Sequence, residues 1–279
     1  MKIGVLVNAF ARTTELYECL SSVLAATQKV TDTRLIIHQE GIDESMKVTN
    51  QFRNSFDVKF VIPASNNALD CINRNRILGL EILFDEVKVD AVLGIEDDVE
   101  ISKDSGEFCK SILEQYYGDR NFRGINLGSR NAKSDNLEEL NTFSLIRYGL
   151  HGQAGLITRQ TWRYIREKKL GVKSTSGFDA QIEGYLKTGF MATSNYSRYL
   201  DRGYDLHATH ATRNSNDISF LGIAESYVGR NFVPKCHVYT LNQLNHLSWR
   251  SDAKAYIPIE NLAFWIKFKG RDYLSGLKR

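Results

Sequence analysis

The sequence predicts an α/β domain built on a mostly parallel central sheet flanked by helices, and three observations predict it. Strand-like stretches recur at 2–8, 33–39, 57–63 and 90–95, and the first is a short, nearly continuous apolar run, as expected of a strand covered on both faces. Between them lie stretches of helical period, the length that crossovers between parallel strands require. The chain has 279 residues, 42% hydrophobic and 25% charged, an ordinary globular composition with enough length to bury a core.

The elements follow in order. KIGVLVN (2–8) is the first strand. A helix over 13–27 comes next, capped by Thr13 or Thr14, with Leu16, Leu20, Val23 and Leu24 as its apolar stripe. TRLIIHQ (33–39) is the second strand and ends at Glu40-Gly41. A helix around 43–53 leads to the third strand, DVKFVIP (57–63). Ser65, Asn66 and Asn67 offer caps for a helix reaching Phe84, its buried side made of Leu69, Ile72, Ile77, Leu80, Leu83 and Phe84. DAVLGI (90–95) is the fourth strand.

After about residue 120 the pattern changes. FRGINLG (122–128) is a strand, and 129–140 is polar and irregular, a candidate mobile loop. Residues 143–166 hold two strand-like pieces and a helix from about 159; 177–189 reads as a helix bounded by glycines. No repeat or low-complexity linker divides the chain, so one domain with two unequal halves is expected.

Composition narrows the function. A net charge of +3 over this length does not imply nucleic-acid binding. Cys19, Cys71, Cys109 and Cys236 form no CxxC pair, which argues against a zinc knuckle or a disulfide framework and for a reducing compartment. The apolar start is too short for a signal peptide, and no segment approaches the ~20 apolar residues that span a bilayer. A cytoplasmic location is expected.

Chemistry concentrates where strands end, since ligands in open sheets of this kind sit beyond the carboxyl ends. IEDDVE places Glu96, Asp97 and Asp98 at the end of the fourth strand. Hard dications take carboxylate oxygens and complete their shells with water or phosphate, so these acids suit manganese or magnesium carrying a diphosphate; a solvated turn fits the spacing equally. If the extended conformation continues, Glu96 and Asp98 share one side and Asp97 faces the other. Arg12 follows the first strand beside a helix start, a pairing that favours phosphate and also fits a surface arginine. Asn73, Arg74, Asn75 and Arg76 either line a nucleotide pocket or form a solvated helix face. Asp179 and Glu183 share a helix face; Asp179 is a candidate general base or an N-cap. His207 and His210 sit on opposite sides of an expected strand and do not share an ion.

These landmarks resemble glycosyltransferases of the GT-A fold, most closely N-acetylglucosaminyltransferase I and its relatives. AFART follows the first strand; IIHQEG stands where that family shows SQDG-like residues; LGLEILF leads into AVLGIEDDVEIS, similar to its VVVEDDLE. YGLHGQAGLITRQTWRYI resembles its acceptor strand and Trp-bearing helix, GFDAQIEG the segment carrying its base, and SRYLDRGYDLHATH its late SR…G…H segment. The likeness spans residues 3–215, most specifically 91–102. It implies a GT-A fold and a UDP-sugar donor with Mn2+ or Mg2+. Asp98 is then the metal ligand, and Glu96 and Asp97 meet donor sugar and ribose. Arg12 contacts the diphosphate, and Asp179 is the base. Glu40 stands where the family has a base-contacting Asp, and Asn75 where it has a His. Residues 1–100 become the nucleotide-sugar half and 120–250 the acceptor and base half. The eukaryotic relatives are membrane-anchored Golgi proteins, whereas no anchor is read here, so the expected acceptor is a glycan or lipid-linked acceptor rather than an N-glycan by default.

Two other classes remain at this stage. Sugar nucleotidyltransferases also pair carboxylates on a parallel sheet, but VNAFART lacks their glycine-rich loop. A non-catalytic sugar-nucleotide or carbohydrate-binding protein of the same fold is the other. The segment 254–279, with six Lys/Arg against two Asp/Glu, is either a peripheral membrane contact or a helix docked through Leu262, Trp265, Ile266 and Phe268.

Overall fold

The strand-like stretches become β1 (Ile3–Ala9), β2 (Arg34–Gln39), β3 (Asp57–Val61) and β4 (Ala91–Glu96), parallel in the order β3-β2-β1-β4. The computed structural model describes residues 1–202 apart from 42, 64, 129–141, 148–149, 151–152, 172–175 and 195–197, and adds strand residues 235–236 and 254–255. Beyond β4 come β5 (Val99–Ile101), β6 (Phe122–Asn126), β7 (Thr142–Arg147), β8 (Ala154–Thr158), β9 (Phe190–Ser194) and β10 (Tyr199–Asp201), then β11 (Lys235–Cys236) and β12 (Lys254–Ala255). The main sheet continues β4-β8-β6-β9-β7 with β8 antiparallel to both neighbours, while β5 and β10 form a separate antiparallel ribbon. Because β8 alone reverses between β4 and β6, those two strands still end at one edge, and β8 begins there. This is the α/β arrangement, a mostly parallel sheet between helices, that the GT-A resemblance implies.

The helices are α1 (Thr14–Thr27), α2 (Asp43–Gln51), α3 (Ala68–Glu81, continued by a π-helical turn over Ile82–Glu86), α4 (Ser105–Tyr116), α5 (Arg159–Glu167) and α6 (Phe178–Leu186). Strand alternation divides the core between two faces. Val5, Val7, Leu93 and Ile95 pack against Leu16 and Leu20 of α1 and Phe108 and Ile112 of α4. Leu6, Leu35, Val92 and Ile157 pack against Leu80 of α3, Trp162 of α5 and Ile182 of α6. Gly79 lets α3 lie close on β1: a Cβ there would stand 2.3 Å from Leu6 Cδ1.

Local signals explain most boundaries. Asn67 is the cap of α3 and accepts from the Leu69 and Asp70 N–H groups at 3.0 and 3.2 Å. Thr13 starts α1 without a side-chain bond. Gly41 turns the chain after β2 at φ 100°, a conformation glycine adopts without strain. Two expectations change. β5 follows the acid turn as a strand not expected, and the sheet-facing side of α3 is polar at its start: Asp70, Asn73 and Arg76 are buried, while Leu69, Ile72 and Ile77 are only partly so. Among the described residues no helix is long and apolar enough to cross a membrane, and Cys19, Cys71 and Cys109 are free and buried.

Candidate active site

β1, β2, β3 and β4 end at one edge, and the segments leaving them supply its polar groups. β4 stops at Glu96 and the chain turns at Asp97 and Asp98 before β5. The extended alternation therefore ends with the strand. Glu96 and Asp98 do not share a partner, and the three acids engage three different neighbours.

Glu96 is held by its N–H on the Gln153 carbonyl at 3.0 Å and by Arg76, whose Nη2 donates to Oε1 at 3.0 Å. Asp97 turns inward, where its Oδ2 accepts the Phe10 N–H at 2.8 Å. Asp98 Oδ2 pairs with Arg12 Nη1, and the Asp98 carbonyl accepts the Arg202 N–H at 2.8 Å. The Arg12 and Asp98 side chains are 22% and 12% exposed, so this pair is shielded from water more than a surface salt bridge is.

Burial raises the Asp97 carboxyl to about 6, with the Phe10 N–H and the Arg12 charge opposing the shift. Asp98 Oδ1 is buried and lacks a hydrogen-bond partner, an arrangement native structures rarely leave without a purpose. That oxygen suits a hard cation. Among the described residues no three His, Cys, Asp or Glu side chains gather around one point; a dication at Asp98 would take one carboxylate from the protein and its other oxygens from water or phosphate.

The turn carrying Arg12 is fixed from below. Phe10 gives its N–H to Asp97, and its carbonyl accepts from Ser45 Oγ at 2.9 Å. His38 braces Ser45 at 3.1 Å through Nε2 and meets the Gln39 carbonyl at 2.6 Å through Nδ1. A carbonyl only accepts, so Nδ1 carries a proton. Burial lowers the His38 pKa and these two bonds oppose it. The β5–β10 ribbon steadies the other side: Arg198, buried over the Phe108 ring at 4.0 Å, bonds Asp104 at 3.1 Å.

α3 joins this edge to α6. Arg76 lies over the Phe178 ring, 5.5 Å from its centroid, and Asn73 Nδ2 donates to the Ser176 carbonyl at 3.0 Å. Gln181 Nε2 donates to the same carbonyl at 2.8 Å. Asp179 is half-buried in the first turn of α6, its Oδ1 lying 2.7 Å from where a Gly177 Cβ would stand. Gly177, not Asp179, is the N-cap. Glu183 pairs with Lys187 at 2.9 Å on the surface.

Arg12, Glu96, Asp97 and Asp98 thus stand around one turn, with the start of α6 beside them through Arg76. Glu40, just after β2, is exposed, and Asn75, midway along α3, is half-buried; neither makes a side-chain bond to that group. The loop 129–141, His207, His210 and nearly all of 254–279 lie outside the described residues. The sequence offered Arg76 only as one of four residues that line a nucleotide pocket or form a solvated helix face, without its tie to Glu96, and it gave no sign of Ser45 or His38. The Asn73–Arg76 spacing was the available signal: three residues apart, they continue the buried face begun at Asp70.

No family model and no curated protein matches this sequence. Comparison with solved structures gives partial superpositions at low identity. The S. aureus TarS 1–349 structure superposes with a TM-score of 0.48 at 11% identity over 73% of this chain, which spans 61% of that one. A cytidylyltransferase from Leptospira borgpetersenii gives 0.44 at 11% identity over 74% of this chain and 83% of that chain. An apo-UDP-glucose pyrophosphorylase gives 0.40 at 11% identity over 71% and 93%.

Proposed function

We propose that this chain is a metal-dependent inverting glycosyltransferase, moving a sugar such as GlcNAc from a UDP-sugar to a hydroxyl of a glycan or lipid-linked acceptor. The observation that carries this reading is the meeting of Arg12 with Asp98, whose second carboxylate oxygen is buried without a partner. A cation and an anion held together at a strand edge suit a ligand that brings both a dication and phosphates.

The 1–100 half holds the donor and the 120–250 half the acceptor. Asp98 would hold Mn2+ or Mg2+, and a cation there would supply positive charge against that building on the departing UDP. Arg12 turns to the same phosphates and adds to that stabilisation. Glu96 faces the donor sugar. Asp97 holds the turn below the ribose, and Glu40 and Asn75 border the nucleobase. Asp179 takes the acceptor hydroxyl proton while that oxygen attacks the anomeric carbon opposite the leaving UDP, which inverts the centre. The pinned Phe10 turn supports this reading over nucleotidyl transfer, because it presents a side-chain cation rather than the backbone N–H groups of a glycine-rich loop.

A thermal-shift panel of nucleotide sugars with and without manganese, followed by transfer assays, tests it. The wild type is expected to gain stability from a UDP-sugar only with metal. Asp98→Ala is expected to lose that gain, and Asp179→Asn to keep it while losing transfer by ~10²–10⁴-fold. Pyrophosphate release from a nucleoside triphosphate and a sugar phosphate would assign the nucleotidyltransferase class instead. UDP binding with no metal-dependent turnover would assign a binding protein.

A further inference from the structure

We propose that Arg76 is a positioning residue of this site: it sets the Glu96 carboxylate toward the donor sugar and locks it to the start of α6, which carries Asp179. The proposal rests on the glycosyltransferase reading and goes beyond it, since Arg76 touches neither phosphate nor reacting atoms.

The physical case begins with cost. Arg76 lies on the face of α3 that packs against the sheet, with only 7% of its side chain exposed. Burying a guanidinium there is unfavourable unless paired. Its partner, Glu96, keeps 36% of its side chain exposed at the edge. One end of this pair is therefore fixed in the core and the other is open to a ligand. The guanidinium uses its rim for Glu96 Oε1 at 3.0 Å and its flat face for the Phe178 ring, two uses that together fix an orientation a lysine could not reproduce.

A cavity of about 20 Å³ lies beside Arg76, lined also by Phe178, Leu6, Ile157 and the cross-strand pair Gly94 and Gly155, room for about one water. The hydrogen bond to Glu96 and the Phe178 ring are two of the contacts that orient the side chain next to that space. One turn earlier, Asn73 binds the Ser176 carbonyl, so α3 grips the chain just before α6 at two points. A shift of Arg76 moves the sugar-facing acid and the α6 start relative to each other.

Calorimetric titration of the full chain with UDP and with UDP-GlcNAc, both with manganese and without acceptor, separates this role from a structural one. In Arg76→Lys, UDP affinity is expected to stay within about twofold of wild type, while the preference for UDP-GlcNAc over UDP falls about tenfold. Glu96→Gln is expected to do the same, and the two changes together to cost little more than either alone, as coupled partners do. kcat is expected to fall on the order of 10- to 100-fold in Arg76→Lys through misplacement. Arg76→Met, which keeps the bulk without the charge, is expected to follow the same pattern more strongly. Equal losses for UDP and UDP-GlcNAc, unchanged binding, or additive effects of the Arg76 and Glu96 changes would each overturn the proposal. A wild type that binds UDP-GlcNAc while the variants show no sugar-specific loss defeats this proposal alone; a wild type that binds neither ligand defeats the glycosyltransferase reading beneath it.

Discussion

Asp97 shows how one buried carboxyl ties the edge to pH. Desolvation places it at about 6 in the folded chain, above an unfolded value of ~3.9. A raised folded pKa means the native state holds a proton the unfolded state has released. The stability this group contributes is present below about pH 4 and is lost as pH rises through about 6, roughly 3 kcal/mol in total. Asp97→Asn removes the charge yet keeps an oxygen for the Phe10 N–H. Urea midpoints are expected to be higher for the variant than for wild type at pH 8, with the gap closing toward pH 5. A gap independent of pH would show that Asp97 is solvated. The acids also show what residue types conceal. IEDDVE announced a charged edge, but which acid meets which partner depended on a turn two residues long and on arginines 20 to 86 positions away, Arg76 and Arg12.

At the scale of elements, the crossing of α3 over β1 is the tightest test of packing. Gly79 sits on Leu6, and both are buried. Gly79→Ala is expected to destabilise the chain by about 1–3 kcal/mol despite alanine's better helix propensity, because the new methyl overlaps Leu6, whose side chain must leave its packed position for the small cavity beside it. Leu6→Ala alone is expected to cost about 2–5 kcal/mol. The double variant is expected to lose less than the two losses added, since each change relieves the other; chemical denaturation of the four chains checks this, and strict additivity would mean that α3 moves away as a body. The same helix shows the limit of periodicity. Its apolar end, from Leu80 to Phe84, was legible. Its polar end was not, since a solvated asparagine and arginine and a buried pair of them look alike until the opposing acid and carbonyl are known.

For the whole molecule, the parallel half was legible because β1, β2 and β4 are covered on both faces and read as apolar runs between helical stretches, while the edge strand β3 is only half-buried. The second half was less so. Whether β8 lies parallel or antiparallel is a matter of pairing between segments some 60 residues apart, Leu93 with Leu156 for example, which no local pattern encodes. Burial of the thiols is a global property and offers a global probe. Burial pushes the Cys109 thiol up to about 12 and raises the Cys19 thiol as well; Cys71 is also buried, its thiol donating to the Ser65 carbonyl at 3.2 Å. A Cys236→Ser chain is expected to show no fast reaction with an aromatic disulfide reagent at pH 8 and to react at all three remaining cysteines once unfolded in guanidinium. A rapid native burst would mean that one face of the sheet opens on its own. The grip on Phe10 has a wider consequence. Since both its amide hydrogen and its carbonyl are committed to residues far along the chain, the bend inherits its shape from the scaffold, and its outward ring, 38% exposed, is left at liberty to change. Evolution, or a designer, can redraw the exposed side chains at positions 10 and 11 and alter what lands on this rim without disturbing the cation at position 12.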